Sequence, residues 1–158
     1  MQALAQKQTV AFLIESTREV FDKMVCRSLT SGAPIEGDAL RPRSNVVATV
    51  SFAGAESGIV AFHSTKDAAC EIAGALLGVD PADVNGDMPD AIGEVANMIA
   101  GALRTKMTDA GTPCAISIPT VTVGSDFYTK YVSDVRRVLC PFTMDGQEIF
   151  VELICPRS

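Results

Sequence analysis

An amphipathic helix followed by β-branched strands joined through glycine-rich turns occurs twice in these 158 residues, and that repeated order constrains the fold more than any other feature. From Val10 to Leu29, the apolar residues Val10, Leu13, Ile14, Val20, Phe21, Met24, Val25 and Leu29 return at three- and four-residue steps, which predicts one long helix. Gly32, Pro34, Gly37 and Pro42 punctuate a loop, after which Asn45–Phe52 and Ser57–Ser64 read as strands around a turn at Ala53–Gly58. The second pass begins at Asp87 and Pro89, which announce a helix running to about Met107, stopped by Gly111 and Pro113. Strands are then expected over Ala115–Val123, Tyr131–Met144 and Glu148–Ile154, the first two parted by Gly124-Ser125-Asp126 and the last two joined by an Asp145-Gly146 hairpin. Between the halves, Thr65 caps a helix over Lys66–Leu77 that Gly78 closes. Residues 10–64 and 88–154 therefore predict an α+β fold. Internally duplicated helix-strand-strand units would form a mostly antiparallel sheet of five or so strands, with long helices packed on it, as one domain over 1–158.

Composition narrows the function classes. With 47% hydrophobic and 20% charged residues, the chain is too apolar for disorder and too often interrupted for a spanning helix, so no membrane role is expected. Its first residues, Met1–Gln8, lack a basic n-region and an apolar h-region, which gives the cytoplasm as the expected location. Thirteen Lys and Arg against nineteen Asp and Glu give a net charge of -6, and no basic cluster exceeds Arg136-Arg137. Nucleic-acid binding has little electrostatic support. Cys26, Cys70, Cys114, Cys140 and Cys155 are odd in number and never form C-x-x-C, a pattern of reduced, buried thiols. The single histidine, His63, lies in a predicted strand, where a structural or surface role is expected in place of a metal site or a Ser-His-Asp machine. A hydrolase of small phosphates would need a glycine-rich cradle or a basic pocket, and neither stands in the sequence.

The informative stretch is Asp90–Gly101. At about 100° per residue, Asp90, Glu94 and Asn97 fall at about 0°, +40° and -20° around the helix, opposite Ile92, Val95, Ile99 and Leu103. Gly101 lies one turn further along this polar stripe, where a missing side chain lets another surface approach. Gly93 borders it, at a cost of about 1 kcal/mol relative to Ala. An acidic and an amide residue on an exposed face fit either a solvated surface or a binding site. Asp90 also fits a local role, because Asp87 at the N-cap with Asp90 three residues on approximates a capping box and complements the helix dipole.

Asp90-x3-Glu94-x2-Asn97, followed by Gly101 and then by Pro119 in Ser117-Ile118-Pro119, resembles the signature of the CheC/CheX/FliY phosphatases of bacterial chemotaxis, with 21 residues between Asn97 and Pro119. The likeness extends over nearly the whole chain. CheC-like chains carry Glu-x-x-Asn in both halves, and CheX-like chains keep it only in the second. Here the first half has Glu19-x-x-Asp22, so the chain is similar to the CheX branch, with one working site. Glu19 and Asp22 also fit plain exposed charges. The chain departs from the family where Gly101-Ala102-Leu103 stands in place of Gly-Asn-Ala.

The resemblance implies a substrate, the aspartyl phosphate of a CheY-type receiver domain, and a mechanism in which Asn97 orients the attacking water while Glu94 pairs with the receiver's lysine. Asp90 would be peripheral or helix-capping, and Gly101 and Pro119 would be supporting residues. No metal or cofactor would be held by this chain; Mg²⁺ is expected on the receiver. CheX-like proteins are commonly homodimers, so a homodimer is expected. The alternative of a different class is a non-catalytic module on the same fold that binds a receiver or a chemotaxis or flagellar partner.

Overall fold

The computed structural model describes residues 2–37 and 41–157. Helix α1 (Gln2–Val20) starts before the predicted Val10, continues as a π turn over Phe21–Val25, and stops at Cys26, whose φ of 59° is left-handed. The predicted end at Leu29 is therefore too late. Leu29 is buried, but from the extended segment beyond the cap, so its apolar spacing imitates one more helical turn. Helix α2 (Lys66–Leu77) forms as predicted. The Thr65 hydroxyl accepts from the Ala68 N–H at 3.2 Å, and Gly78 closes the helix at a φ of 71°.

Helix α3 (Met88–Asp109) is reached through a 3₁₀ turn at Asn85–Asp87. Asp87 is therefore helical, with φ -84° and ψ -8°, and its side chain caps nothing. The expected capping box does not form, because a cap requires extended backbone that the 3₁₀ entry denies. Asp90 remains an acid in the first turn, favourable to the helix dipole.

The sheet contains β1 (Thr30–Ser31), β2 (Ile35–Glu36), β3 (Ser44–Gly54), β4 (Gly58–Ser64), β5 (Cys114–Ile116), β6 (Thr120–Phe127), β7 (Val135–Met144) and β8 (Gln147–Pro156), and every pairing is antiparallel. Hairpins β3–β4 and β7–β8 meet along β4 and β8, with Ile59 opposite Ile154 and Phe62 opposite Val151. Strands β1 and β2, in the segment expected to be a loop, pair with the outer side of β7, while β5 and β6 pair with the outer side of β3. Each half thus lends its first two strands to the other half's hairpin. This is the predicted duplication, with exchanged edges.

Alternation along the strands decides the layers. Val46, Ala48, Val50 and Phe52 of β3 and Val60 and Phe62 of β4 turn to the helices, where they join Ile92, Val95, Ile99 and Leu103 of α3 in one apolar cluster. The Phe21 ring stacks on Phe62 at 6.1 Å and 22°. Helix α3 packs against both α1 and α2 and lies over β3, β5 and β6. On the other face, Val47, Ala61 and Ile154 form a smaller cluster with Ile59, Phe127, Tyr131 and Val135. Tyr131 is not in a strand as predicted; β7 begins at Val135, and the Tyr131 ring lies 5.5 Å from the Arg137 guanidinium. Among the described residues, no helix is long and apolar enough to cross a membrane.

Candidate active site

The apolar residues of α3 bury one side and leave a stripe to solvent. Ile92, Val95 and Ile99 are fully covered, whereas Asp90 and Glu94 are exposed and Asn97 is half-buried one turn along. Among the described residues, the Glu94 carboxylate and the Asn97 amide have no intramolecular hydrogen-bond or ion-pair partner. A Cβ placed on Gly101 would meet nothing within 4 Å, so this chain's own packing does not require a glycine there. Arg104 and Thr105 continue the exposed stripe, and the Thr105 hydroxyl donates to the Gly101 carbonyl at 3.2 Å.

Gly93 is explained by what crosses it. A Cβ there would come to 3.1 Å from Val121 Cγ2 and 3.8 Å from Pro119 Cγ, so the glycine admits the β5–β6 segment against the helix beside Glu94. Pro119 is thereby brought to the same patch as Asn97, which follows Gly93 by one turn. Larger residues have no room, and Gly93→Leu should lower stability by about 1–3 kcal/mol through overpacking, measured by urea denaturation.

The predicted single strand over Ala115–Val123 is broken at this point. The Ser117 N–H donates to the Ser51 carbonyl at 2.8 Å, and the Ser51 N–H donates to Ser117 Oγ at 2.9 Å, placing Ser117 opposite Ser51. Thr120 is opposite Thr49. Ile118 and Pro119 therefore both stand against Val50, which is a β-bulge. One extra residue reverses the alternation: Ile116 and Val121, of opposite parity, both join the helix-side cluster. Proline has no N–H to donate to a ladder, and its place inside a strand-like run was the signal that could have located the break.

The remaining candidates lie elsewhere. Glu19 accepts from Lys106 Nζ of α3 at 2.9 Å and is half-buried, while Asp22 is exposed within the π turn, outside the frame that relates Glu94 to Asn97. His63 is buried in the sheet, with Nε2 3.0 Å from Glu152 Oε1 and Nδ1 3.3 Å from Ser44 Oγ, and the second Glu152 oxygen accepts from Arg137. Sequence reading found no partners for His63 because these are distant in the chain. Cys140 is buried, its thiol pushed up to about 12 by burial, but Cys26 is exposed at the left-handed cap of α1, contrary to the expectation of burial. Among the described residues, no three His, Cys, Asp or Glu side chains converge on a metal-sized site.

A family model described as chemotaxis phosphatase CheX matches residues 46–143. The chain belongs to the CheX family. The matched segment of this CheX-family chain includes Asp90, Glu94, Asn97, Gly101 and Pro119 and excludes α1. Among solved structures, it is similar to the chemotaxis protein CheX of Desulfovibrio desulfuricans, with 27% identity, a TM-score of 0.85, and coverage of 92% of this chain and 97% of that one. Chemotaxis protein CheX of Vibrio vulnificus shares the fold at 23% identity and a TM-score of 0.85, over 94% and 98% of the two chains. A CheX-CheY-BeF3-Mg²⁺ complex from Borrelia burgdorferi contains a chain with the same fold, at 21% identity and a TM-score of 0.77, over 94% of this chain and 97% of that one. No curated protein sequence matches the chain.

Proposed function

We propose that this chain accelerates hydrolysis of the aspartyl phosphate on a CheY-type receiver domain, with Asn97 and Glu94 of α3 entering the receiver's site. The observation that carries this reading is the pair itself: a carboxylate and an amide one turn apart on an exposed helical stripe, with no intramolecular partner, beside a proline seated on Gly93. Family membership and the fold shared with a chain solved in a complex with CheY support the choice of substrate.

An acyl phosphate has a good leaving group, and phosphoryl transfer through a loose transition state depends on positioning and charge neutralisation more than on a strong base. The receiver's Mg²⁺ and lysine neutralise the phosphoryl oxygens. What this chain adds is an oriented water. The Asn97 amide has both a donor and an acceptor with which to hold it in line with the scissile bond. Glu94 pairs with the receiver's lysine and fixes the docking. Gly101, with no side chain above the stripe, leaves room for the receiver surface. On the stripe itself, the exposed carboxylates of Asp90 and Glu94 precede Asn97 and favour a cationic group on the partner. A hundredfold acceleration asks for about 2.7 kcal/mol, within reach of one well-placed group. Homodimerisation is part of the proposal, and the outer edge of β6, which pairs with no strand among the described residues, is a surface suited to it.

The test is decay of Mg²⁺-loaded phospho-receiver with substoichiometric amounts of this chain. Turnover is expected, and Glu94→Ala should chiefly raise KM, a defect that shrinks as receiver concentration rises. Binding without turnover would replace this reading with that of a receiver-binding module. A Glu94→Ala defect unchanged at saturation would place Glu94 in the chemistry instead of in docking.

A further inference from the structure

We infer that Ile118 is the apolar contact that seats the receiver beside Glu94 and Asn97, a role that rests on the function proposed above. The side chain of Ile118 is 85% exposed, while both of its chain neighbours are held. On one side Ser117 exchanges two hydrogen bonds with Ser51, at 2.8 and 2.9 Å, and its hydroxyl also lies 3.0 Å from the Ile118 carbonyl. On the other side the Pro119 ring lies against Gly93, the residue before Glu94. Without the bulge, Ile118 would share the face of Ile116, which packs into the helix-side cluster. With one inserted residue it stands in solvent instead, one position before the proline that lies against Gly93.

A β-branched side chain on a fixed backbone loses little freedom on contact, so its burial by a partner costs less ordering than that of a mobile loop. The occupant is identified by the patch as a whole. Ile118 precedes the proline that lies on Gly93, the residue before the exposed Glu94, so a receiver engaged by the pair would meet this side chain at the edge of the contact. Val132, at 97% the more exposed aliphatic side chain, lies with Ile59 and Ile154 on the opposite face of the sheet and supplies a control.

The experiment measures phospho-receiver decay against receiver concentration for the wild type and for Ile118→Val, Ile118→Ala, Ile118→Lys and Val132→Lys, with circular dichroism to verify folding. Expected are a near-wild-type KM for Ile118→Val, a rise of about fivefold for Ile118→Ala, and a rise of more than about tenfold for Ile118→Lys. In all of these kcat should stay within about twofold, and Val132→Lys should be silent. Wild-type acceleration with an unchanged KM in Ile118→Lys would overturn the docking role while leaving the phosphatase reading intact. A fall in kcat alone would also overturn it, because Ile118 would then act on the site through Pro119. If the wild type accelerated no receiver, the phosphatase reading itself would fall, and this inference with it.

Discussion

Asn97→Ala is expected to return phospho-receiver decay to the receiver's own rate while the protein stays folded. Asn97 is half-buried on a helix whose opposite side carries the packing, and its amide has no intramolecular partner among the described residues, so its removal should change the denaturation midpoint little. The catalytic loss should be the whole acceleration, since no other amide, hydroxyl or imidazole in the Asp90–Asn97 stretch can orient a water. Asn97→Asp should be equally inactive. An ionised carboxylate accepts hydrogen bonds but donates none, and it would face the phosphoryl group with like charge. Measured with catalytic amounts of each variant, undiminished turnover in Asn97→Ala would remove the amide from the mechanism.

The largest stability effect should come from the opposite face of the sheet. Glu152 is 1% exposed and shares its carboxylate between His63 and Arg137, both buried as well. Glu152→Ala takes the negative charge from between two buried basic side chains, a change that costs about 3–5 kcal/mol in comparable pairs. Against a total stability of about 5–15 kcal/mol, that approaches unfolding, and urea melts would register it. Burial pushes the Glu152 carboxyl up, but the hydrogen bonds from His63 and then Arg137 outweigh it and hold the group below the usual carboxylate range. Its contribution is therefore complete above the unfolded value of about 4.3 and is lost as pH falls through the lower folded value. Wild type should lose stability in that acidic window, and Glu152→Gln should lose less of it. A melting midpoint in Glu152→Ala equal to that of the wild type would contradict the account.

How much of this could be read from the chain depended on how far apart the cooperating residues stand. Helix α2 was legible to the residue because its signals are local, with Thr65 before it and Gly78 after it. The stripe of α3 was legible because periodicity alone puts Glu94 and Asn97 opposite Ile92 and Ile99. The bulge was not, since Ile116, Ile118 and Thr120 alternate as an unbroken strand would, and the shift is fixed by Ser51 and Thr49 on another strand. The setting of His63 was hidden for the same reason, its carboxylate partner standing 89 residues away. Short strands β1 and β2 escaped notice because two residues carry no period, and only the edge of β7 makes them strands.

The exchange of edge strands makes the two halves hostages of each other. Strand β3 belongs to the half that lacks Glu-x-x-Asn, yet it supplies every backbone partner of β5 and β6, and its Ser51 grips Ser117 just before the proline that lies on α3. Helix α1 can therefore drift on its surface, but the half that contains it cannot be discarded. A lesion in β3 would be felt as a displaced proline on a helix some forty positions further along the chain. Under the proposed function, the pair on one helix therefore depends on the hairpin of the other repeat.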